Sequence, residues 1–279
     1  MIWGVNFSQK HAINLGLDWR AVYTALLDDL GVKHLKIAVH WDFIEGNGPE
    51  LFFDDVDWQM REAEKRNVQV LLAIGLKTPR WPECHIPQWA KGLEKKDQQK
   101  AVLAMLDGVV LRYKNSPALW GWQVENEPFF PFGECVSVDR SFLKKEINLV
   151  RSLDTNHPVV VSESGEMSLW TGAASYGDIV GITLYQKAWM EQLGISVDYP
   201  LPPVFYWRKA QIINAFFHKN VIGVELQAEP WGSSLLYTLP LEEQDKTMSP
   251  ELFKENIEKL IKLSKKFLIM TMFSSVNFE

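Results

Sequence analysis

The sequence of 279 residues is short of cysteine, of long apolar runs and of clustered positive charge. Its two cysteines, Cys84 and Cys135, are too few for a disulfide framework, and free thiols are the default expectation. No cysteine–histidine spacing suggests a zinc site, so we expect no metal and no cofactor. No apolar stretch approaches the ~20 residues that cross a bilayer. A formal net charge of −6 without a basic stripe argues against nucleic acids and anionic membranes as partners.

The chain also lacks the features of a targeting segment or of several domains. Its first residues, MIWGVNFSQK, do not show the ordered regions of a secretory signal. We therefore expect a cytoplasmic protein as the chain is given, or a secreted one if an upstream leader has been removed. No linker, low-complexity run or repeat interrupts residues 1–279, which are predicted to form a single domain. Nothing in the sequence indicates an oligomeric state.

Tryptophan is abundant, with twelve residues in the chain. A flat aromatic ring packs well on the apolar C–H face of a pyranose, so a surplus of tryptophan is typical of sugar sites. Trp19, Trp58 and Trp207 lie in helical stripes and are predicted to pack in the core instead.

Short β-rich runs alternate with longer amphipathic runs along the whole chain. Strands are predicted at 2–8, 34–41, 68–76, 121–127, 158–164, 178–185, 220–227 and 267–273. Helices are predicted at 18–31, 55–67, 97–114, 139–153, 203–218 and from 249 onward. This alternation predicts an α/β fold, a (β/α)8 TIM barrel. A doubly wound open sheet is the alternative, but the turn NFSQKHAINLG after the first strand lacks the glycine-rich phosphate pattern.

In a (β/α)8 barrel, chemistry takes place at the carboxyl ends of the strands. Polar or aromatic residues stand at or just beyond these ends, at His40, Trp41, Glu45, Lys77, Trp81, Asn126, Glu127, Glu163, Tyr185, Glu225 and Gln227. Any one acid of this set, taken alone, is more often a solvated loop residue. The agreement in position of the whole set favours a site.

Two of these segments resemble a known family. The sequence ENEP at 125–128 ends the fourth predicted strand, and GVELQAEPW at 223–231 ends the seventh. Together they resemble clan A of the glycoside hydrolases, the retaining (β/α)8 enzymes that include family 5 cellulases and mannanases. The resemblance implies that Glu127 is the general acid/base and Glu225 the nucleophile. It also implies that Asn126 holds the sugar 2-hydroxyl and that Tyr185 hydrogen-bonds the nucleophile.

The residues leave part of this assignment open. Glu125 and Glu127 have the same parity along the strand, so alternation does not say which of them faces the mouth of the barrel. Retaining hydrolysis needs two carboxyl groups roughly 5–5.5 Å apart with different proton affinities. Tyr185 and Lys36 are candidates for keeping Glu225 ionised. Lys36, where many family members carry arginine, is also predicted to pair with Glu125.

Further residues are candidates for binding the substrate. Trp41, Trp81, Trp189 and Trp231 each follow a strand end, as sugar platforms do. His40 either binds sugar hydroxyls or has a structural role, and Gln227 is a further candidate for substrate binding.

Two features of the loops are also predicted. The segment 187–207 is predicted to be a long aromatic loop at one end of the cleft. Cys84 and Cys135 follow the third and fourth strands, which are neighbours in a barrel, so a disulfide at the mouth is the alternative to free thiols.

The end of the chain departs from the family pattern. Clan A enzymes usually end the eighth strand with a tryptophan beneath the reactive sugar, whereas this strand and its continuation are FLIMTMFSSVNFE. The departure predicts an incomplete or atypical eighth βα unit. The leading hypothesis is hydrolysis of β-linked oligo- or polysaccharides, with β-1,4 linkages favoured. Internal cleavage is slightly preferred over terminal cleavage. The alternatives are a catalytically impaired carbohydrate-binding barrel and a barrel that uses paired carboxylates around Mg²⁺.

Overall fold

The computed structural model describes residues 2–134, 139–190, 194–234, 238–264 and 270–273. The strands are β1 Ile2–Phe7, β2 His34–Ala38, β3 Gln69–Ile74, β4 Leu119–Val124, β5 Val159–Ser164, β6 Ile179–Leu184, β7 Lys187–Met190, β8 Ile195–Asp198, β9 Asn220–Leu226 and β10 Met270–Phe273. The helices are α1 Gln9–Asn14, α2 Trp19–Asp28, α3 Trp41–Ile44, α4 Asp54–Lys65, α5 Lys95–Tyr113, α6 Arg140–Leu153, α7 Thr171–Tyr176, α8 Pro203–Phe217, α9 Leu241–Gln244 and α10 Pro250–Ser264.

The predicted TIM barrel is confirmed. In the described part of the chain, eight parallel strands form a closed ring in the order β1-β10-β9-β6-β5-β4-β3-β2. β10 pairs in parallel with both β1 and β9, so the ring closes through the short eighth barrel strand. Residues 265–269 and 274–279, to which the expected atypical eighth unit extends, lie outside the described residues.

The helices begin where the sequence supplies caps. Asp18 accepts hydrogen bonds from the backbone N–H groups of Arg20 and Ala21 at 2.9 and 3.3 Å, which satisfies two free donors at the start of α2. Asp139 does the same for α6. α8 begins with Pro203, whose missing N–H costs nothing at a first helical position.

The core has two layers. A large cluster fills the space between the strands and the helices, and a small cluster of Leu71, Val160, Ile222 and Val224 fills the inside of the barrel. Strand β2 shows how alternation divides them, because Ile37 packs outward against the helices while the Lys36 side chain crosses the barrel interior to β9.

The segment predicted as a long aromatic loop contains an antiparallel hairpin, β7 with β8. The base of this hairpin is fixed by Gln227, whose Oε1 accepts hydrogen bonds from the backbone N–H groups of Gln186 and Lys187 at 2.9 and 3.0 Å. Residues 191–193 of the segment lie outside the described residues. Among the helices that the structure describes, none is long and apolar enough to cross a membrane.

Candidate active site

The backbone at the end of β4 sends Glu125 and Glu127 into two different environments. Their φ angles are 61° and 42°, in a region that residues other than glycine rarely occupy. These angles interrupt the alternation of the strand, so the two side chains do not follow the pleat to one face. The parity of the sequence could not separate the two glutamates, whereas the local backbone does.

Glu125 points away from the mouth, toward α5 and α6. Its two carboxylate oxygens accept hydrogen bonds from the backbone N–H groups of Leu76 and Lys77, each at 2.7 Å. Gly75, with φ of 129°, permits this approach, because a Cβ there would lie 2.3 Å from Glu125 Oε1. Burial raises the pKa of Glu125, while a hydrogen bond with Glu146 and the two backbone donors oppose that shift. The predicted pairing of Glu125 with Lys36 is wrong, since backbone amides and not a cation hold this carboxylate.

Glu127 reaches the mouth of the barrel. Its backbone N–H donates to Ser162 Oγ at 2.9 Å, and its Oε1 accepts a hydrogen bond from Thr183 Oγ1, also at 2.9 Å. Burial first, and then the nearby negative charge of Glu225, raise the pKa of Glu127 to about 7. The group can therefore both give and take a proton near neutral pH.

Glu225 stands at the end of β9 and is 7% exposed. The ammonium group of Lys36 donates to its Oε1 at 2.8 Å, and the phenol of Tyr185 donates to its Oε2 at 3.0 Å. Each carboxylate oxygen thus has its own donor, and the two bonds fix the orientation of the group. Lys36 thus serves the glutamate of the seventh barrel strand and not the one at the end of the fourth.

Thr183 links the two mouth glutamates. It lies directly opposite Glu225 in the β6–β9 pairing, and its hydroxyl is the group that binds Glu127. Side chains opposite each other on neighbouring strands point to the same face of the sheet. The two carboxyl groups therefore lie on the same side of these strands, close enough that the charge of Glu225 raises the pKa of Glu127.

Asn126, between Glu125 and Glu127 in the sequence, is 3% exposed. Its amide N–H donates to Glu83 Oε2 at 3.0 Å, and its oxygen accepts from Gln123 Nε2 at 3.1 Å. Burial raises the pKa of Glu83 to about 8, although the charge of Lys77 and the bond from Asn126 oppose the shift. This network fixes the orientation of the amide.

A third carboxylate, Glu229, adjoins Glu225, and sequence reasoning did not select it. It is 3% exposed. The Tyr185 phenol oxygen lies 3.1 Å from its Oε1, and Arg80 forms an ion pair with the same oxygen at 3.5 Å. A fourth, Glu166, accepts from the Tyr206 hydroxyl at 2.7 Å, and burial raises its pKa to about 7. Glu229 belongs to the segment ELQAEPW and Glu166 to the segment SESGE. Neither residue ends a strand, so strand-end position did not point to them.

Three predicted substrate-binding residues are buried and lie outside the open part of the mouth. Trp41 is 0% exposed, belongs to α3 and donates its Nε1–H to Glu45 at 2.7 Å. Gln227 is also 0% exposed and fastens the β7–β8 hairpin. His40 is 2% exposed, with its Nε2 3.2 Å from the backbone oxygen of Pro79, and burial lowers its pKa to about 3. The platform at Trp41 and the binding role of Gln227 are therefore wrong, and His40 takes the structural alternative.

The remaining predicted platforms are accessible. Trp81 is 44% exposed, and Trp189 and Trp231 are partly exposed. Trp81, Phe132, Trp231 and Tyr185 form a continuous row, with ring centroids 6.1, 5.6 and 5.6 Å apart in succession. The row leads from solvent to the phenol that binds Glu225, so it forms an aromatic wall of the mouth. Phe132 was not found from the sequence.

Other strand-end residues have structural partners. Glu163 accepts hydrogen bonds from the backbone N–H groups of Trp170 and Ala173 at 3.1 and 2.5 Å, at the start of α7. Cys84 is disulfide-bonded, so the default expectation of free thiols is wrong. Cys135, the only other cysteine of the sequence, lies outside the described residues. Within the described ranges, no group of three or more His, Cys, Asp or Glu residues is placed to hold a metal ion.

The buried carboxyl groups predict a pH dependence of folding. A carboxyl group whose pKa is raised by folding stabilises the protein below its unfolded pKa of ~4.3 and loses that contribution as the pH rises through the folded value. Glu83, Glu127 and Glu166 have folded values of about 8, 7 and 7. We therefore expect these three groups to raise the free energy of unfolding in urea at about pH 5 relative to about pH 8 by a few kcal/mol, an effect that His11 and His40, with folded pKa values of about 3, partly offset.

Replacement of Glu83 with Gln provides the control for that measurement. The variant removes an ionisable group of the same shape, so the difference between the two pH values should shrink. A pH dependence that is the same in Glu83→Gln as in the unmodified protein would contradict the assignment of Glu83 as largely protonated in the folded state at mildly acidic pH.

No family model matches the chain. A segment of 67 residues is 40% identical to a probable mannan endo-1,4-β-mannosidase A-2 of Aspergillus terreus. This segment is 24% of the present chain and 17% of that protein. The sequence similarity thus spans less than a fifth of the length of this relative.

Solved structures match almost the entire chain. A GH5_18 protein of Bifidobacterium longum superposes on 99% of this chain and 70% of its own, with a TM-score of 0.68 and 16% identity. The endoglucanase Cel5A of Pseudomonas stutzeri covers 98% of this chain and 84% of its own, with a TM-score of 0.62 and 14% identity. At such identities these matches establish the fold alone. Together with the local sequence match, they confirm the resemblance of this chain to the family 5-like glycoside hydrolases of clan A.

Proposed function

We propose that this protein is a retaining glycoside hydrolase of β-linked oligo- or polysaccharides, with β-1,4 linkages as the first class to test. The observation that carries the proposal is the placement of the two glutamates around Thr183: its hydroxyl binds Glu127, and Glu225 lies opposite it in the β6–β9 pairing, close enough to raise the pKa of Glu127. One carboxyl group has a pKa of about 7 and the other is bound by an ammonium group and a phenol. Unequal environments of this kind are what paired acid and nucleophile chemistry needs. The mannosidase name of the sequence relative supports a β-1,4-linked sugar chain.

In the first step, Glu225 attacks the anomeric carbon while protonated Glu127 donates its proton to the glycosidic oxygen. The bond between the anomeric carbon and the leaving oxygen breaks, and an ester between Glu225 and the sugar forms. Lys36 and Tyr185 hold the two oxygens of Glu225 before attack, which orients the carboxylate. These contacts fit the role of Glu225 as the nucleophile.

In the second step, Glu127 acts as a base. Esterification removes the negative charge of Glu225, which is one of the causes that raise the pKa of Glu127. The pKa of Glu127 therefore falls after the first step, so the group that gave a proton is ionised when it must take one from water. Water then attacks the anomeric carbon and the ester bond to Glu225 breaks.

Substrate binding is assigned to Asn126, beside the reacting pair, and to the aromatic wall. Asn126, oriented by Glu83 and Gln123, holds the sugar 2-hydroxyl with the remaining N–H of its amide. Trp81 and Trp231 offer ring faces to sugars along the aromatic wall. A wall that extends from solvent to the reacting pair favours a chain-like substrate and internal cleavage.

A panel of β-1,4-linked mannan, glucan and xylan oligomers, with aryl β-glycosides, tests this proposal. We expect new reducing ends from at least one oligomer, and proton NMR of the first product should show the β anomer before mutarotation. Release of the α anomer would contradict retention. Oligomers that bind without any release of reducing ends would instead identify a carbohydrate-binding barrel.

A further inference from the structure

The phenol of Tyr185 lies between two carboxylates. Its oxygen is 3.0 Å from Glu225 Oε2 and 3.1 Å from Glu229 Oε1, so both oxygens are within hydrogen-bond distance. A phenol has one proton to donate, and neither carboxylate in its ionised form has one to return. The two acceptors therefore compete for a single hydrogen bond.

The surroundings of Glu229 suit a buried hydrogen-bond acceptor. Arg80 pairs with its Oε1, and the backbone N–H of Ala228 donates to its Oε2 at 3.2 Å. Trp231 Nε1 lies 3.5 Å from Oε1, at the outer limit of a hydrogen bond. Burial and the charges of Glu229 and Glu225 raise the pKa of Tyr185 well above its ordinary value, so the phenol keeps its proton.

We propose that Glu229 is a positioning residue that acts on Glu225 through Tyr185, as the second acceptor for the phenol during the double displacement. The inference rests on the proposed function. Before attack, Glu229 draws part of the hydrogen bond away from Glu225 and leaves that carboxylate more nucleophilic. After attack, Glu225 is a neutral ester and the phenol proton turns to Glu229. No proton is transferred in this exchange, and only the acceptor changes.

Removal of the charge of Glu229 should affect the two chemical steps in opposite directions. In Glu229→Gln, Tyr185 donates mainly to Glu225, and Arg80 loses its ionic partner and is attracted to Glu225 instead. Both changes stabilise the negative charge on Glu225. A better-stabilised carboxylate is a weaker nucleophile in the first step and a better leaving group in the second. A residue needed only for folding would not separate the two steps in this way.

Other charged groups face the same region and remain in the variant. Lys36 reaches it from β2, Arg80 and Glu83 from the loop after β3, Glu127 from the end of β4, and His11 from α1. Burial lowers the pKa of His11 to about 3, so this ring stays neutral over the working pH range. A change in the acidic limb of the pH profile on removal of Glu229 is therefore assigned to the loss of its charge beside Glu225.

The experiment compares the full-length protein and Glu229→Gln on two aryl β-glycosides. With a poor leaving group, where the first step limits the rate, kcat should fall by about tenfold, a size that one close charge can produce. With 2,4-dinitrophenolate as the leaving group, where breakdown of the ester limits the rate, kcat should stay the same or rise. The acidic limb of kcat/KM should move to lower pH.

Two further variants complete the test. In Tyr185→Phe the leaving-group selectivity of Glu229→Gln should shrink to the part that Arg80 contributes, because the remainder acts through the hydrogen bond of the phenol. Glu229→Asp keeps the charge and should recover part of the first-step rate. The test therefore does not depend on good folding of the Gln variant alone. Equal slowing of both steps, or no change in either, would overturn the inference while unmodified activity still supports the proposed function. Absence of turnover by the unmodified protein would overturn both.

Discussion

Replacement of Glu225 with Gln is expected to lower kcat on aryl β-glycosides and β-1,4 oligomers by at least ~10³-fold, because the amide cannot form the ester intermediate. The fold should survive. Gln keeps the shape of Glu225 and one oxygen that accepts a hydrogen bond from Lys36 or Tyr185. Steady-state kinetics, with circular dichroism and thermal melting of the same samples, measure both expectations.

The matched control is Glu163→Gln. Glu163 is also a buried acid at the end of a barrel strand, but its carboxylate caps the start of α7 and is 4% exposed. This variant should lose stability and keep kcat within a few-fold of the unmodified protein. Near-normal turnover by Glu225→Gln would end the assignment of Glu225 as nucleophile.

Replacement of Glu127 with Ala should give a loss that depends on the leaving group. On unactivated oligomers, kcat/KM should fall by ~10²–10⁴-fold, the usual contribution of a general acid, while 2,4-dinitrophenyl glycosides should lose far less in the first step. The basic limb of the pH profile, expected near pH 7 in the unmodified protein, should disappear with the group that causes it. Rates with a series of aryl leaving groups at several pH values provide the measurement.

Glu125→Gln is the matched control for this series. It changes a glutamate two residues away, whose carboxylate is bound by Leu76 and Lys77 and points toward α5 and α6. Any effect of this variant should be the same for all leaving groups. A leaving-group dependence in Glu125→Gln, and none in Glu127→Ala, would exchange the roles of the two residues.

The sequence predicted the barrel because several strands are nearly continuous in Val, Ile and Leu, as buried parallel strands are. The helix-capping residues also stand where the amphipathic helical patterns begin, so the two signals agree. Strand β5, Val159–Ser164, and helix α6, Arg140–Leu153, fall within a residue or two of their predicted ranges. Short elements such as α3 and α7 escaped prediction. They depend on tertiary contacts, for example the carboxylate of Glu163 at the start of α7, and not on a periodic pattern.

Within the site, strand-end positions were predictable but partners were not. Lys36 was expected opposite Glu125, and it binds Glu225 instead because positive φ angles turn the end of β4 outward. Trp41 has the sequence position of a platform, yet a helical turn begins at that residue and buries its ring. Glu229 and Arg80 lie in loops, where neither periodicity nor parity says which way a side chain points.

The most direct measurement is covalent trapping with a 2-deoxy-2-fluoro-β-glycoside that carries a good leaving group, followed by peptide mass spectrometry. Such a substrate forms the ester intermediate and slows its hydrolysis. We expect one fluorosugar per chain, attached to Glu225, with no label in the Glu225→Gln variant. A label on Glu127 or Glu229, or continued turnover without any covalent intermediate, would contradict the account in which Glu225 attacks the sugar and Glu127 handles the proton.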